Sequence, residues 1–144
     1  MALNLLKLCV GATSIEDLQS WIEGRMAQKR AEGLAEEHIH VTRMMPKRMD
    51  ELLDGGSLYW VIKGNIQVRE RLVDIRPFTD KEGIRRCELV MDGKLIATRW
   101  QPRRAFQGWR YLTAEDAPGD LSGDEGIAAL PPGLRNELAE LGLL

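Results

Sequence analysis

At 144 residues, 44% hydrophobic and 29% charged, the chain has the size and composition of one ordinary globular domain. No run approaches the roughly 18 consecutive apolar residues of a membrane span, and the apolar opening lacks the basic leader of a secretory signal. A cytoplasmic protein without membrane contact is expected. The formal net charge of −2 is unevenly spread: −2 over residues 1–40, +6 over 41–111 and −6 over 112–144. The middle can attract anions that the tail repels.

In chain order, Leu3 to Val10 is short and apolar and reads as a largely buried strand ended by Gly11. Thr13-Ser14-Ile15-Glu16 has the form of a capping box, with the Thr13 hydroxyl serving Glu16. Ile15, Leu18, Ile22 and Met26 recur at helical spacing, which predicts a helix over Ser14 to Ala31 with Gly33 as its stop. His38 to Met44 reads as a strand, Lys47 to Asp54 as a short helix behind Pro46, and Ser57 to Lys63 as the clearest strand. Gly64-Asn65 signals a hairpin into a long, bulged strand, Ile66 to Arg76, ended by Pro77. Ile84 to Met91 and Lys94 to Trp100 follow, joined by the hairpin signal Asp92-Gly93. Four strands joined by short turns predict an antiparallel meander. Residues 101–111 read as a structured loop or a last irregular strand. Residues 113–130 read as a flexible acidic segment, and Leu134, Leu138 and Leu141 as a C-terminal amphipathic helix.

His38 and His40 share a strand face, a spacing that can ligate a metal, but no third ligand is in view, so plain surface or half-buried histidines are expected. Asp50, Glu51 and Asp54 read as a solvated helix face. Gly55-Gly56-Ser57 runs from helix to strand, the reverse of a phosphate loop, and lacks the surroundings of an esterase nucleophile. Cys9 and Cys87 are far apart and read as buried free thiols. No catalytic signature, metal site or cofactor motif emerges.

One segment carries more chemistry. Arg99 to Tyr111 holds four arginines, four aromatics and no acid. Guanidinium groups make forked hydrogen bonds to phosphate or carboxylate, and aromatic faces stack on bases. The opposing reading folds Trp100, Phe106 and Trp109 inward and leaves the arginines paired or snorkelling. Arg69, Arg71, Arg85 and Arg86 would extend a basic groove if strand register aligned them.

His40 to Arg48, Leu52 to Gly64 and Pro102 to Leu112 resemble the distinctive stretches of an uncharacterised alphaproteobacterial family catalogued as domain of unknown function 1489. The resemblance spans nearly the whole chain, including the LPPGLRNELAELGLL ending. It implies a bacterial cytosolic protein and brings no activity, cofactor or site residue. By fold-level analogy, the element order also resembles the small RNA-associated pseudobarrels of the PUA and ASCH type.

The expectation is a single α+β domain over residues 1–144, mainly an antiparallel sheet, with an N-terminal, a short second and a C-terminal helix. Its expected role is a non-enzymatic binding module for RNA, a nucleotide or another anionic ligand. Arg103, Arg104, Arg110 and Lys63 would supply charge, and Trp60 and Trp109 would supply stacking faces. The alternatives are an enzyme on a phosphorylated or carboxylated small molecule, with His40 or Asp54 as acid–base group, and a protein-interaction module.

Overall fold

The computed structural model describes residues 3–121. The elements run β1 (Asn4–Leu8), α1 (Ile15–Ala31), β2 (His38–Thr42), α2 (Met49–Leu53), β3 (Ser57–Ile62), β4 (Asn65–Thr79), β5 (Arg85–Met91), β6 (Ile96–Pro102) and β7 (Trp109–Leu112). The chain is α+β and sheet-dominated, but the sheet is mixed and open rather than a simple meander. Its order is β2-β5-β4-β3-β1-β7, with β6 also on β4. β1 lies parallel to β3, because α1, β2 and α2 carry the chain across between them. The C-terminal helix expected around Leu134 to Leu141 lies outside the described residues.

α1 begins one residue later than the capping box suggested. Ser14 is the N-cap and accepts from the Asp17 backbone, while Asp17 reaches back to the Thr13 amide and hydroxyl. Leu18 and Ile22 are its buried residues, and they join the larger core with Leu5, Trp60, Ile62, Val68, Leu72, Leu89 and Met91. The opposite sheet face carries a smaller cluster of Leu6, Tyr59, Val61, Ile66 and Leu112, with Phe106 packed against it.

β4 organises the sheet. Its first half pairs with β3 on one edge and β6 on the other, and its second half pairs with β5. β5 and β6 therefore run in line along one edge of β4, and Asp92-Gly93 interrupts that line instead of turning a hairpin. The Asp92 amide still donates to the Arg71 carbonyl. Gly93 holds a φ of +79°, a backbone conformation that L side chains rarely adopt. Gln67 and Val73 are extra residues in the ladders, so β4 is bulged as expected, twice. The Gln67 side chain donates through Nε2 to the Ile62 carbonyl at 2.8 Å, beside the first bulge.

β4 also runs through Pro77 to Thr79, although Pro77 was expected to end it. β3 stops opposite Arg71, so the far edge of β4 is open at Pro77 and its missing N–H leaves no gap in a ladder. The β3–β4 hairpin turns on Lys63-Gly64 rather than Gly64-Asn65. Both have positive φ, 49° and 80°, with Ile62 paired to Asn65.

The curvature brings distant strands together. His40 on β2 meets Trp60 on β3 edge to face, with ring centroids 5.5 Å apart, although two strands separate them in the sheet. At the open end, β7 grips the segment after β2. The Trp109 indole donates to the Met44 carbonyl at 2.6 Å, and the Tyr111 hydroxyl accepts from the Lys47 and Arg48 amides.

Candidate anion-binding surfaces and a buried carboxylate network

Of the cationic residues singled out from the sequence, Arg103 and Lys63 come together, and Arg110 follows on β7. The 103–108 loop is tied to the β3–β4 turn by the Arg103 amide donating to the Gly64 carbonyl at 2.8 Å, which sets Arg103 beside exposed Lys63. Phe106 packs on the smaller core, and the Arg110 guanidinium lies 5.2 Å above its ring while donating to the Gln107 and Trp109 carbonyls. The Arg103 guanidinium has only its neighbour's carbonyl, Pro102. Arg104 is exposed. Arg30, Arg48, Arg69, Arg76 and Arg86 all pair with carboxylates. Among the described residues, Lys63, Arg103, Arg104 and Arg110 have no such partner.

The two tryptophans expected as stacking faces are elsewhere. Trp109 is 5% exposed and Trp60 is 3% exposed, both inside the larger core. Alternation along the strands explains this: Trp60 shares the apolar face of β3 with Leu58 and Ile62, and Trp109 turns toward Met44 while Arg110 points the other way. Arg71 and Arg85 are exposed, and Arg86 and Arg69 are bound to Asp80 and Asp120, so the broader basic groove does not form from them.

Under α1 lies a network that the sequence reading did not identify. Glu70 on β4 is fully buried and accepts from the Trp60 indole at 2.8 Å through Oε1. Its Oε2 lies 2.7 Å from His38 Nδ1, and the His38 Nε2 is buried without a partner among the described residues. His38 is thus fully buried, not a surface histidine. Its ring meets the edge of Trp21, over which Arg25 sits at 3.9 Å. A signal for Glu70 existed: it falls between Val68 and Leu72 in the period-2 pattern, a charged residue on the apolar face.

His40, on the same face, is pushed down to about 4, first by burial and then by the positive charges of Lys7, His38 and Arg25. The unfolded chain therefore binds a proton that the folded chain refuses between pH 6.5 and about 4. Stability should fall by up to about 3 kcal/mol as pH drops through that window. Urea unfolding of the parent and of His40→Leu checks this, the variant being expected to lose that part of the slope. Asp17, Glu37, Asp74 and Asp80 are held below the ordinary carboxylate range by hydrogen bonds to Thr13, Arg76, Arg76 and Arg86 respectively, and their losses come at lower pH.

The cysteines are free. Burial pushes the Cys9 thiol up to about 11 and raises that of Cys87, which leaves both poorly nucleophilic. Among the described residues, no three His, Cys, Asp or Glu side chains group to hold a metal ion. No described helix is long and apolar enough to cross a membrane.

On the opposite sheet face, a cleft of about 330 Å³ is lined by Asn4, Ser57, Tyr59, Arg69 and the 114–120 segment. Arg69 holds Asp120 with a two-pronged pair of hydrogen bonds at 2.8 and 2.7 Å and donates to the Ser57 hydroxyl at 2.8 Å. Neither His40 nor Asp54 lines this cleft. Residues 113–121, the start of the segment expected to be flexible, make defined contacts here. The Arg99 amide donates to the Gly119 carbonyl, and the Leu121 amide to Ala97. The remainder of that segment lies outside the described residues.

A family model described as "Protein of unknown function (DUF1489)" matches residues 5–144. The chain belongs to this family. No curated protein matches it, and no solved structure does. The DUF1489 match takes in all seven strands, from Leu5 of β1 onward, and therefore both the cationic end and the Arg69 cleft.

Proposed function

We propose that this DUF1489 chain is a non-enzymatic binding module for RNA, held through its phosphates by Lys63, Arg103, Arg104 and Arg110. The observation that carries the reading is the bond from the Arg103 amide to the Gly64 carbonyl, which ties the loop of Arg103 and Arg104 to the turn of Lys63. None of these cations, nor Arg110 at the far end of the loop, pairs with a carboxylate among the described residues, unlike Arg30, Arg48, Arg69, Arg76 and Arg86. A guanidinium left with backbone carbonyls retains donors for phosphate oxygens. With Trp60 and Trp109 in the core, base stacking drops out of the proposal, and Phe106 is covered by Arg110. Recognition then rests on the backbone and is insensitive to base identity.

The likeness to PUA and ASCH pseudobarrels belongs with this proposal. The bends in β4, the His40–Trp60 contact and the grip of β7 on Met44 to Arg48 support it.

Four phosphate contacts to a single strand give a slope of log K against log salt of about −3. Titrating a single-stranded RNA oligonucleotide at two salt concentrations measures it. Arg103→Ala/Arg104→Ala is expected to flatten the slope by about 1.4. Absence of binding at low salt, or a double variant that binds like the parent, refutes the proposal.

A further inference from the structure

We propose that the cleft around Arg69 is a binding site for a small carboxylate ligand, and that Asp120 is a built-in occupant which such a ligand displaces. The site is separate from the cationic end. Arg69 lies opposite Ile96 on β6, whereas Pro102, where the 103–108 loop begins, lies opposite Asn65.

Three features make the cleft a receptor for a carboxylate. The first is the guanidinium. Its Nε and Nη2 form a fork on the two Asp120 oxygens, the planar geometry that suits a carboxylate. Its Nη1 donates to the Ser57 hydroxyl, which holds the fork in a set orientation. Ser57 accepts that bond and keeps its own proton to donate. The second is Tyr59, which lines the cleft while only 7% exposed, and whose hydroxyl has no hydrogen-bond partner among the described residues. That hydroxyl reaches the solvent of the cleft and is free to donate to a ligand oxygen. The third is the volume. About 330 Å³ reaches the lower end of the range for small-molecule sites. Ala114, Ala117 and Pro118 give it small, apolar walls that suit a compact hydrocarbon body.

Asp120 is poised to leave. Its side chain is 41% exposed, against 21% for Arg69, so water already reaches the pair from the aspartate side. The segment that carries it is tied to β6 by the backbone bonds of Gly119 and Leu121, with Thr98 opposite Asp120 as an isolated bridge. Two backbone bonds at the edge of a sheet open far more readily than a core ladder. A ligand carboxylate would exchange one carboxylate for another on the same fork, gain the Tyr59 hydroxyl and fill the cleft. It would also release the 119–121 segment from β6.

The test uses the full chain and benzoate, whose flat apolar body suits the walls. Binding is followed through the Arg69 side-chain Nε–H signal in nitrogen-15 NMR in the parent protein, and by calorimetric titration in the parent and in both variants. In the parent protein, benzoate is expected to shift that signal saturably. Asp120→Asn removes the competing charge and is expected to tighten benzoate binding at least about fivefold. Adding Arg69→Lys to Asp120→Asn keeps a positive charge but removes the fork, and is expected to abolish the gain. A parent signal that does not move at tens of millimolar benzoate overturns the proposal. So does equal affinity in the parent and Asp120→Asn, or a gain that survives Arg69→Lys.

Discussion

Glu70→Ala is expected to lower the free energy of unfolding by about 3–5 kcal/mol, measured by urea denaturation. Glu70 is fully buried, and its two carboxylate oxygens serve the Trp60 indole and the His38 ring. Truncation leaves a buried indole N–H and a buried imidazole with no acceptor, and opens a cavity between β4 and α1. Each unmet buried donor costs its full desolvation, about 1–3 kcal/mol. His38 suffers doubly, because its Nε2 already lacks a partner among the described residues. Replacing the whole network with Glu70→Met, His38→Leu and Trp60→Phe together removes the donors along with the acceptor. That triple variant is expected to retain most of the parent stability, since a buried polar network often breaks even against apolar groups of similar volume. A triple variant as unstable as Glu70→Ala would mean that packing, not hydrogen bonding, sets the cost.

Gly56→Ala is expected to cost about 3 kcal/mol, the upper end of what overpacking costs. A Cβ on Gly56 would lie 2.2 Å from the Leu3 carbonyl oxygen and 2.3 Å from that of Leu52. Both are backbone atoms, so no side chain can rotate away. Gly56 is also tied on both sides, its amide donating to Leu52 and its carbonyl accepting from Leu72. The end of α2, the start of β1 and the middle of β4 therefore meet at one point. Gly55 offers the control. Its φ of +87° strains any L residue, but a Cβ there meets nothing within 4 Å. Gly55→Ala is expected to cost only about 1–2 kcal/mol. Thermal unfolding of the two variants side by side separates steric exclusion from backbone strain, and equal losses would contradict this account of Gly56.

The two replacements show where the sequence spoke and where it was silent. Gly55-Gly56 was legible as a helix end and turn, because φ > 0 at a helix terminus is a local requirement that glycine meets. That the second glycine allows β1 to approach α2 was not legible, because the approaching atoms come from about fifty residues earlier in the chain. Glu70 stood out as a charge on an apolar face, but its partners lie on β3 and β2. Nothing local pairs position 70 with positions 60 and 38.

The candidate residues divide along the same line. Lys63, Arg103, Arg104 and Arg110 were legible as charge, but what sets Arg103 beside Lys63 is one long-range contact, the Arg103 amide on Gly64. Trp60 and Trp109 were legible as aromatics, but whether an aromatic faces water or core depends on strand register and on what covers the face. Asp92-Gly93 carried a strong hairpin signal that tertiary structure overrode. β6 gained more by extending the ladder along β4, where Ile96 to Pro102 found partners, than by folding back on β5.

By itself, the sequence determined the α+β class, α1 within a residue at its start, the strand sites, the bulged β4 and the arginine-rich stretch from Arg99 to Tyr111. These are set by hydrophobic period, capping and turn chemistry, which act over a few residues. Only the tertiary structure decided the parallel β1–β3 pairing, the in-line β5 and β6, the burial of Trp60 and Trp109, the Glu70 network and the Arg69–Asp120 cleft. Each depends on which distant segments meet, and pairing free energies between distant segments are fixed by the whole fold rather than by any one stretch of it.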